Sequence, residues 1–335
     1  MTNKIVLWRP HGGLNDSLCQ IQHCLAYCRK FNRRLVLDTY RSGLNDDFLR
    51  YFLFSGTSVM IDEWRSHKEK FDAETVTIFP KIASERLDTY DVDLGDGGVY
   101  FDTETKTALS FDRSKDYPQD ILIHEACGGG INSYWLLKYL APTDFLKTEL
   151  EQRLGHLPSS YIAVHIRNTD LETDHAKLLK DLEYAISGRD VLFCTDSGRL
   201  QADLKAGDGH SASAHFVANL DPASSERLHG LESTNVDGNL TMFADLVALS
   251  QSRKLFFSFT KAGRISGFSG LAYALYCSKL KHKFRLNGIQ SGGKRPANAA
   301  RSGSFIRYLQ TQIPIFAAKL IVRVGVFFNE AWPNR

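Results

Sequence analysis

Tyr161 to Asp170 reads YIAVHIRNTD. Its β-branched, apolar first half predicts a buried strand, and the strand runs straight into a His-x-Arg-x-x-Asp cluster. In open α/β sheets, ligands bind at the carboxyl ends of the strands. An arginine placed there offers five donors in a rigid fork and a charge that does not titrate near neutrality. The stretch therefore suits an anion, with Arg167 as the phosphate ligand. A structural ion pair between Arg167 and Asp170 fits the same residues.

Outward from this strand the chain alternates. Upstream, Lys4–Trp8 predicts a strand and His11–Ser17 (HGGLNDS) a glycine turn. A helix follows from about Ser17 to Phe31, with Leu18, Ile21, Leu25 and Cys28 on its inner side, and then a strand at Arg34–Asp38. Further strands are expected at Thr75–Phe79 and Asp120–His124, the latter followed by CGGGINS (Cys127–Ser133), and a helix at Thr143–Leu154. Downstream come a helix at Ala176–Ser187, a strand at Asp190–Cys194, a helix from Arg199 and a polar loop to about Asp237. A helix at Leu240–Ser250, a strand at Lys254–Phe259 and a helix at Gly267–Ser278 follow. Strands alternating with helices in both halves predict two doubly wound, Rossmann-like α/β domains facing a cleft. Gly and Pro near residues 155–159 set the boundary, giving domains at 1–155 and 156–290 and a tail at 291–335.

The 335-residue length suits two domains of roughly 150 residues each. A hydrophobic content of 43% and a charged content of 24% describe an ordinary globular chain. A net charge of +3 with no basic and aromatic block excludes nucleic acid as the expected partner. The start, MTNKIVLWRP, enters a strand without a signal-peptide core, so a cytoplasmic location is expected. No window of about eighteen uncharged apolar residues predicts a membrane span. The six cysteines, Cys19, Cys24, Cys28, Cys127, Cys194 and Cys277, read as reduced packing residues. Cys24 and Cys28 share a helix face without a second pair, and no metal site is expected.

Four stretches carry a resemblance. GGLNDSLCQIQHCLAYCRKFNRRLVLDTYRSG (Gly12–Gly43) resembles the opening of the nodulation-factor-type α-1,6-fucosyltransferases. HIRNTD (His165–Asp170) is similar to the HxRRxD motif shared by the α-1,6-, α-1,2- and protein O-fucosyltransferases. VLFCTDS (Val191–Ser197) resembles their strand ending in Thr/Ser-Asp. The Ala244–Leu275 stretch resembles the helix, strand and serine-rich turn that line the donor site. The pieces stand in the family's order over roughly residues 4–45 and 120–280. The resemblance implies a GT-B fold and an inverting, metal-independent glycosyltransferase with GDP-fucose as donor.

Sugar transfer from a nucleotide diphosphate builds negative charge on the leaving group, and fixed positive charge there lowers the barrier. Arg167 matches the family's first phosphate-binding arginine, while Asn168 replaces the second. His165 lies on the same face as Arg167 and either contacts the donor or is a satisfied core histidine. Asp170 is expected to orient Arg167. Ser258, Thr260, Ser266 and Ser269 surround a turn into a helix, where hydroxyls and amides hold an anion without metal. By resemblance Asp196 lies near the nucleotide, and Asp245 either reads the guanine edge or caps its helix. The base is sought in LETDH, among Glu172, Asp174 and His175. Across the cleft, His11, Gly12, Gly13 and Asn15 form a donor-facing turn, with Asn15 or Asp16 alternatively capping the helix, and Gly128–Gly130 shape the same cleft.

The tail joins a basic segment, KRPANAARSGS (Lys294–Ser304), to an apolar stretch, Phe305–Phe328, carrying Arg307, Lys319 and Arg323. This pattern suits an interfacial helix on an anionic membrane surface, and equally a terminal helix packed on the fold. The sequence thus predicts a fucosyltransferase-like enzyme of polysaccharide biosynthesis. It would act on a bacterial-type glycan (lipopolysaccharide, capsule or lipo-oligosaccharide) and sit peripherally on the inner face of the membrane. Another activated sugar donor, or a catalytically inactive sugar-nucleotide-binding protein of the same fold, are the alternatives.

Overall fold

The computed structural model describes residues 4–70, 75–82, 86–130, 132–168, 173–222, 236–260, 263 and 265–278, leaving aside the side chains of residues 41 and 70. The chain divides into a compact body, Met1–Gly292, and a second unit, Gly293–Arg335, which lies wholly outside those residues together with the tail reading.

In chain order, the first half of the body comprises β1 (Ile5–Pro10), α1 (Leu14–Phe31), β2 (Arg34–Leu37), α2 (Phe48–Tyr51), β3 (Phe52–Phe54) and β4 (Ile61–Glu63). It continues with α3 (Trp64–His67), β5 (Ile78–Phe79), β6 (Val92–Leu94), β7 (Tyr100–Asp102), β8 (Ile121–Ala126), α4 (Ser133–Leu136), β9 (Leu140–Pro142) and α5 (Asp144–Leu154). The second half comprises β10 (Ile162–Ile166), α6 (His175–Ile186), β11 (Asp190–Thr195), α7 (Gly198–Ala206), β12 (Ser213–His215), α8 (Val236–Gln251), β13 (Lys254–Phe257) and α9 (Gly267–Cys277).

Two parallel sheets result, ordered β4-β2-β1-β8-β5 and β12-β11-β10-β13. Their central strands, β1, β8 and β10, are buried at every position, as a sheet covered on both faces requires. Helix α1 buries Leu18, Ile21, Leu25 and Cys28, spaced three, four and three residues apart along one face. It ends on Asn32 in the left-handed conformation, which lets the backbone turn directly into β2. The helix starts at Leu14, earlier than the expected Ser17. Gly13 is its cap and contributes no side-chain bond, so Asn15 and Asp16 lie inside the first turn and neither caps it.

Helix α8 is apolar almost all round and buries Leu240, Met242, Phe243, Leu246, Val247 and Leu249. A helix with this pattern belongs inside a core. Its Phe243 ring lies 5.1 Å from Tyr51 and 5.0 Å from Phe52, both in the first half, and Asn239 Nδ2 donates to Leu44 O at 2.7 Å. One hydrophobic cluster consequently runs from Val6 and Trp8 through Phe243 to Ala163 and Leu192. Among the described residues no helix is long and apolar enough to cross a membrane.

Candidate active site

The strand that opens the sequence reading is β10, one of the two inner strands of the second sheet, and it delivers Arg167 just past its carboxyl end. Arg167 Nε meets Asp196 Oδ2 at 2.9 Å, while the other oxygen of Asp196 accepts from the Asn168 amide at 2.8 Å. Asp196 follows β11, and the parallel pairing of Ile166 with Thr195 sets it beside Arg167. A carboxylate bound to both the guanidinium and the following amide fixes the arginine's direction as well as its charge. Among the described residues Asp196 is therefore an orienting carboxylate for Arg167. Asp170 and Glu172 lie outside the described residues.

Around this pair the serine turn closes. Ser258 Oγ accepts from the Arg167 amide at 3.2 Å, and its own amide donates to His165 O at 3.0 Å. Thr173 Oγ1 donates to Arg167 O at 2.8 Å, and Thr173 bridges to Thr260, tying the loop after β10 to the serine turn. Ser266 caps α9 by accepting from the Ser269 amide at 3.1 Å, and the two hydroxyls lie 2.9 Å apart. His165 Nδ1 sits 2.8 Å from Ser269 Oγ. Burial pushes the His165 imidazole down to about 4, an effect reinforced by the Arg167 charge and opposed by Asp196, so the ring is neutral at physiological pH. Buried and hydrogen-bonded within the protein, His165 fits the satisfied-core alternative.

Two of the remaining second-half candidates have structural partners. Asp174 caps α6 by accepting from the Lys177 amide at 3.1 Å, and it is exposed. His175 follows it as the first residue of α6, with its Nδ1 buried and, among the described residues, unpaired. Asp245 lies in the middle of α8, so the capping alternative is excluded: the helix begins at Val236, well before the expected Leu240. Its Oδ1 accepts from Cys194 Sγ at 3.3 Å. Burial raises the Asp245 carboxyl to about 7, against the opposing Cys194 hydrogen bond, and burial likewise pushes the Cys194 thiol up.

The turn from the first half, His11-Gly12-Gly13, leaves the carboxyl end of β1. Gly12 has φ +84°, and a Cβ there would lie 2.8 Å from Asp16 Oδ2, so only glycine fits without strain. Asn15 holds the turn from both sides. Its Nδ2 donates to Gly130 O at 3.2 Å, and its Oδ1 accepts from Ser133 Oγ at 2.6 Å. Asn15 also packs on the first residue of α9, where a Cβ on Gly267 would come within 3.0 Å of its Nδ2. Through this contact the glycine turn and the serine turn meet, one from each half. A cavity of about 10 Å³ lies behind the glycine turn, lined by Gly12, Gly13, Thr39, Gly43 and Met242, and a wider groove of about 620 Å³ runs elsewhere, between α6 and α7.

Beneath the turn lies a charged network that the sequence reading missed. Arg9 is fully buried, with Nε on Asp38 Oδ2 at 2.7 Å and Nη1 on Leu87 O at 2.6 Å and Tyr90 Oη at 2.5 Å. Burial opposes its charge, but Tyr90, Asp38 and Glu125 more than offset that and raise its pKa above the ordinary arginine value. Glu125, fully buried at the end of β8, accepts from the Tyr90 hydroxyl and contacts His11 Nε2 at 2.8 Å. The His11 ring stacks on Tyr100 at 3.7 Å and 19°. These pairs are 114, 35 and 81 residues apart along the chain, beyond the reach of any spacing argument. Among the described residues no group of three or more His, Cys, Asp or Glu gathers in a way that could hold a metal ion.

No family model matches the chain, and no curated protein matches it. Solved structures do. The chain is similar to NodZ α-1,6-fucosyltransferase soaked with GDP-fucose at 14% identity and a TM-score of 0.54, covering 81% of this chain and 92% of that one. The fucosyltransferase NodZ from Bradyrhizobium gives 14% identity and a TM-score of 0.54 over 82% and 93% of the two chains. The NodZ enzyme co-crystallised with GDP gives 15% identity and a TM-score of 0.52 over 82% and 92%. The chain therefore has a fucosyltransferase-like α/β fold of the GT-B type, with two parallel sheets, and the first turns of α1 and α9 touch at Asn15 and Gly267.

Proposed function

We propose that this chain is an inverting, metal-independent glycosyltransferase that moves fucose from GDP-fucose to a hydroxyl of a bacterial-type glycan. The observation that carries the reading is Arg167, held by Asp196 at the carboxyl end of β10 beside the Ser258, Ser266 and Ser269 hydroxyls. As the bond from the anomeric carbon to the diphosphate breaks, charge grows on the leaving oxygens. A guanidinium already fixed in direction stabilises that charge with little reorganisation. The NodZ structures soaked with GDP-fucose and co-crystallised with GDP supply the donor class by analogy. In this reading residues 156–290 bind the donor, with Asp196 and Asp245 near the nucleotide, and residues 1–155 face the acceptor. In the loop after β10, Glu172 and Asp174 are candidate bases.

Asn168 favours a second reading. With one cation fewer than the family motif, the site suits another activated sugar donor, or donor binding without transfer. One experiment separates these readings: calorimetric titration with GDP, then hydrolysis of a panel of sugar nucleotides with and without excess chelator. GDP binding with chelator-resistant hydrolysis of GDP-fucose supports the proposal. Turnover of a different donor selects the second reading, and strict dependence on Mg²⁺ or Mn²⁺ refutes the metal-independent mechanism.

A further inference from the structure

We infer that His11, held by Glu125, is the general base that takes the proton from the attacking hydroxyl, an assignment that rests on the glycosyltransferase reading above. An imidazole acts as a base when one nitrogen is fixed by a hydrogen bond and the other keeps an open lone pair. Glu125 as a carboxylate only accepts, so the 2.8 Å contact places the proton of neutral His11 on Nε2. That leaves Nδ1 as the basic atom, and among the described residues no hydrogen bond engages it. The His11 side chain is 15% exposed and that of Glu125 is 0% exposed, so of this pair the ring is the part that solvent reaches.

The surroundings hold this orientation. Stacking on Tyr100 fixes the ring plane, the Tyr90 hydroxyl occupies the second oxygen of Glu125, and Arg9 Nη1 lies 4.0 Å from that oxygen. A nitrogen base backed by a buried, hydrogen-bonded carboxylate is a recurrent solution wherever a hydroxyl must be activated. Placement supports the role as well. His11 leaves the carboxyl end of β1, Arg167 leaves the carboxyl end of β10, and Asn15 against Gly267 brings the two turns together. By contrast, the Asp174 carboxylate already caps α6.

The step balances as follows. The hydroxyl oxygen forms a bond to the anomeric carbon while its proton passes to His11 Nδ1. The bond from the anomeric carbon to the diphosphate oxygen breaks, and its electron pair leaves with GDP towards Arg167. The imidazolium, facing the carboxylate of Glu125, then releases its proton to solvent. Glu125 acts through His11 and is a positioning residue.

Water can replace the glycan, so GDP-fucose hydrolysis tests the assignment without a known acceptor. His11→Ala is expected to lower the hydrolysis rate by about 100-fold or more while GDP affinity changes by less than about tenfold, and added imidazole restores part of the rate. Glu125→Gln, which retains the shape of the side chain, is expected to lower kcat with little change in KM. Thermal unfolding of each variant establishes that it is folded. A folded His11→Ala protein that binds GDP and hydrolyses the donor at the wild-type rate overturns the assignment and leaves the glycosyltransferase reading standing. So does a slow variant that imidazole fails to rescue. Wild-type protein that neither binds GDP nor hydrolyses any sugar nucleotide overturns both.

Discussion

Asp245→Asn is the sharpest probe of the second half, because the predicted effect has a sign that depends on pH. The Asp245 carboxyl sits in the middle of α8, accepts from the Cys194 thiol, and is raised by burial from 3.8 to about 7. Between those values the folded protein keeps a proton that the unfolded chain has lost. Its contribution to stability is therefore fully present below about pH 4 and disappears as the pH rises through about 7. Three pKa units correspond to about 4 kcal/mol, which is a ceiling because the side chain retains some exposure. Roughly 2–3 kcal/mol of that falls between pH 5 and pH 8. Asparagine keeps the acceptor for Cys194 and carries no charge, so the variant is expected to gain on wild type by about that amount over the interval. Urea unfolding of both proteins at the two pH values measures the difference, and the subtraction removes every titration the two share. A stability difference that stays the same at pH 5 and pH 8 would refute the reasoning.

Arg167→Ala should lower GDP-fucose turnover by about 100-fold or more, since one lost charge contact to the leaving group costs on the order of 3 kcal/mol. Arg167→Lys should also be poor, because an ammonium lacks the planar fork, and activity within a few-fold of wild type in either folded variant argues against the donor site. His165 and His124, lowered by burial to about 4 and about 3, bind protons more weakly folded than unfolded. Their stabilising effect is present above about pH 6.5 and is lost as the pH falls, by on the order of 3 kcal/mol for His165 and about 5 kcal/mol for His124. His165→Asn should accordingly flatten the acid limb of a plot of Tm against pH. Truncation after Ser304 should release the protein from anionic vesicles in a flotation assay while leaving GDP binding intact, and loss of GDP binding would assign the tail a structural role instead.

The alternation of strands and helices was legible because β1, β8, β10 and β11 each carry three or four residues of Val, Ile, Leu, Phe or Trp within a buried strand. The three-residue strands were not, whereas the two-residue β5 falls within the expected Thr75–Phe79 strand. β6, β7 and β12 are too short for a period to emerge, and β12 hides in a polar stretch because it pairs at the sheet edge. At the site, Arg167 could be read from its position at a strand end. The contact with Asp196 could not, since that residue reaches the arginine through strand pairing, 29 residues further along the chain. The same limit hid Glu125 from any reading of His11. Asp245 as a helix cap failed for a different reason: it already lies five residues inside the expected Leu240–Ser250 helix, and the observed start at Val236 only sets it deeper.

The path of α8 has a consequence for anyone who cuts this chain in two. The sheets are separate ladders, yet the helix that follows the β12 region sinks Phe243 between Tyr51 and Phe52 on the far side. A fragment holding only the second sheet would present that ring, with Leu240 and Val247 nearby, to water. Each such side chain gives up roughly 2 kcal/mol of burial, and a contiguous apolar face of this kind drives self-association. Residues 1–155 supplied as a second polypeptide would offer α8 its native bed again, which makes a split pair a more workable reagent than either half alone.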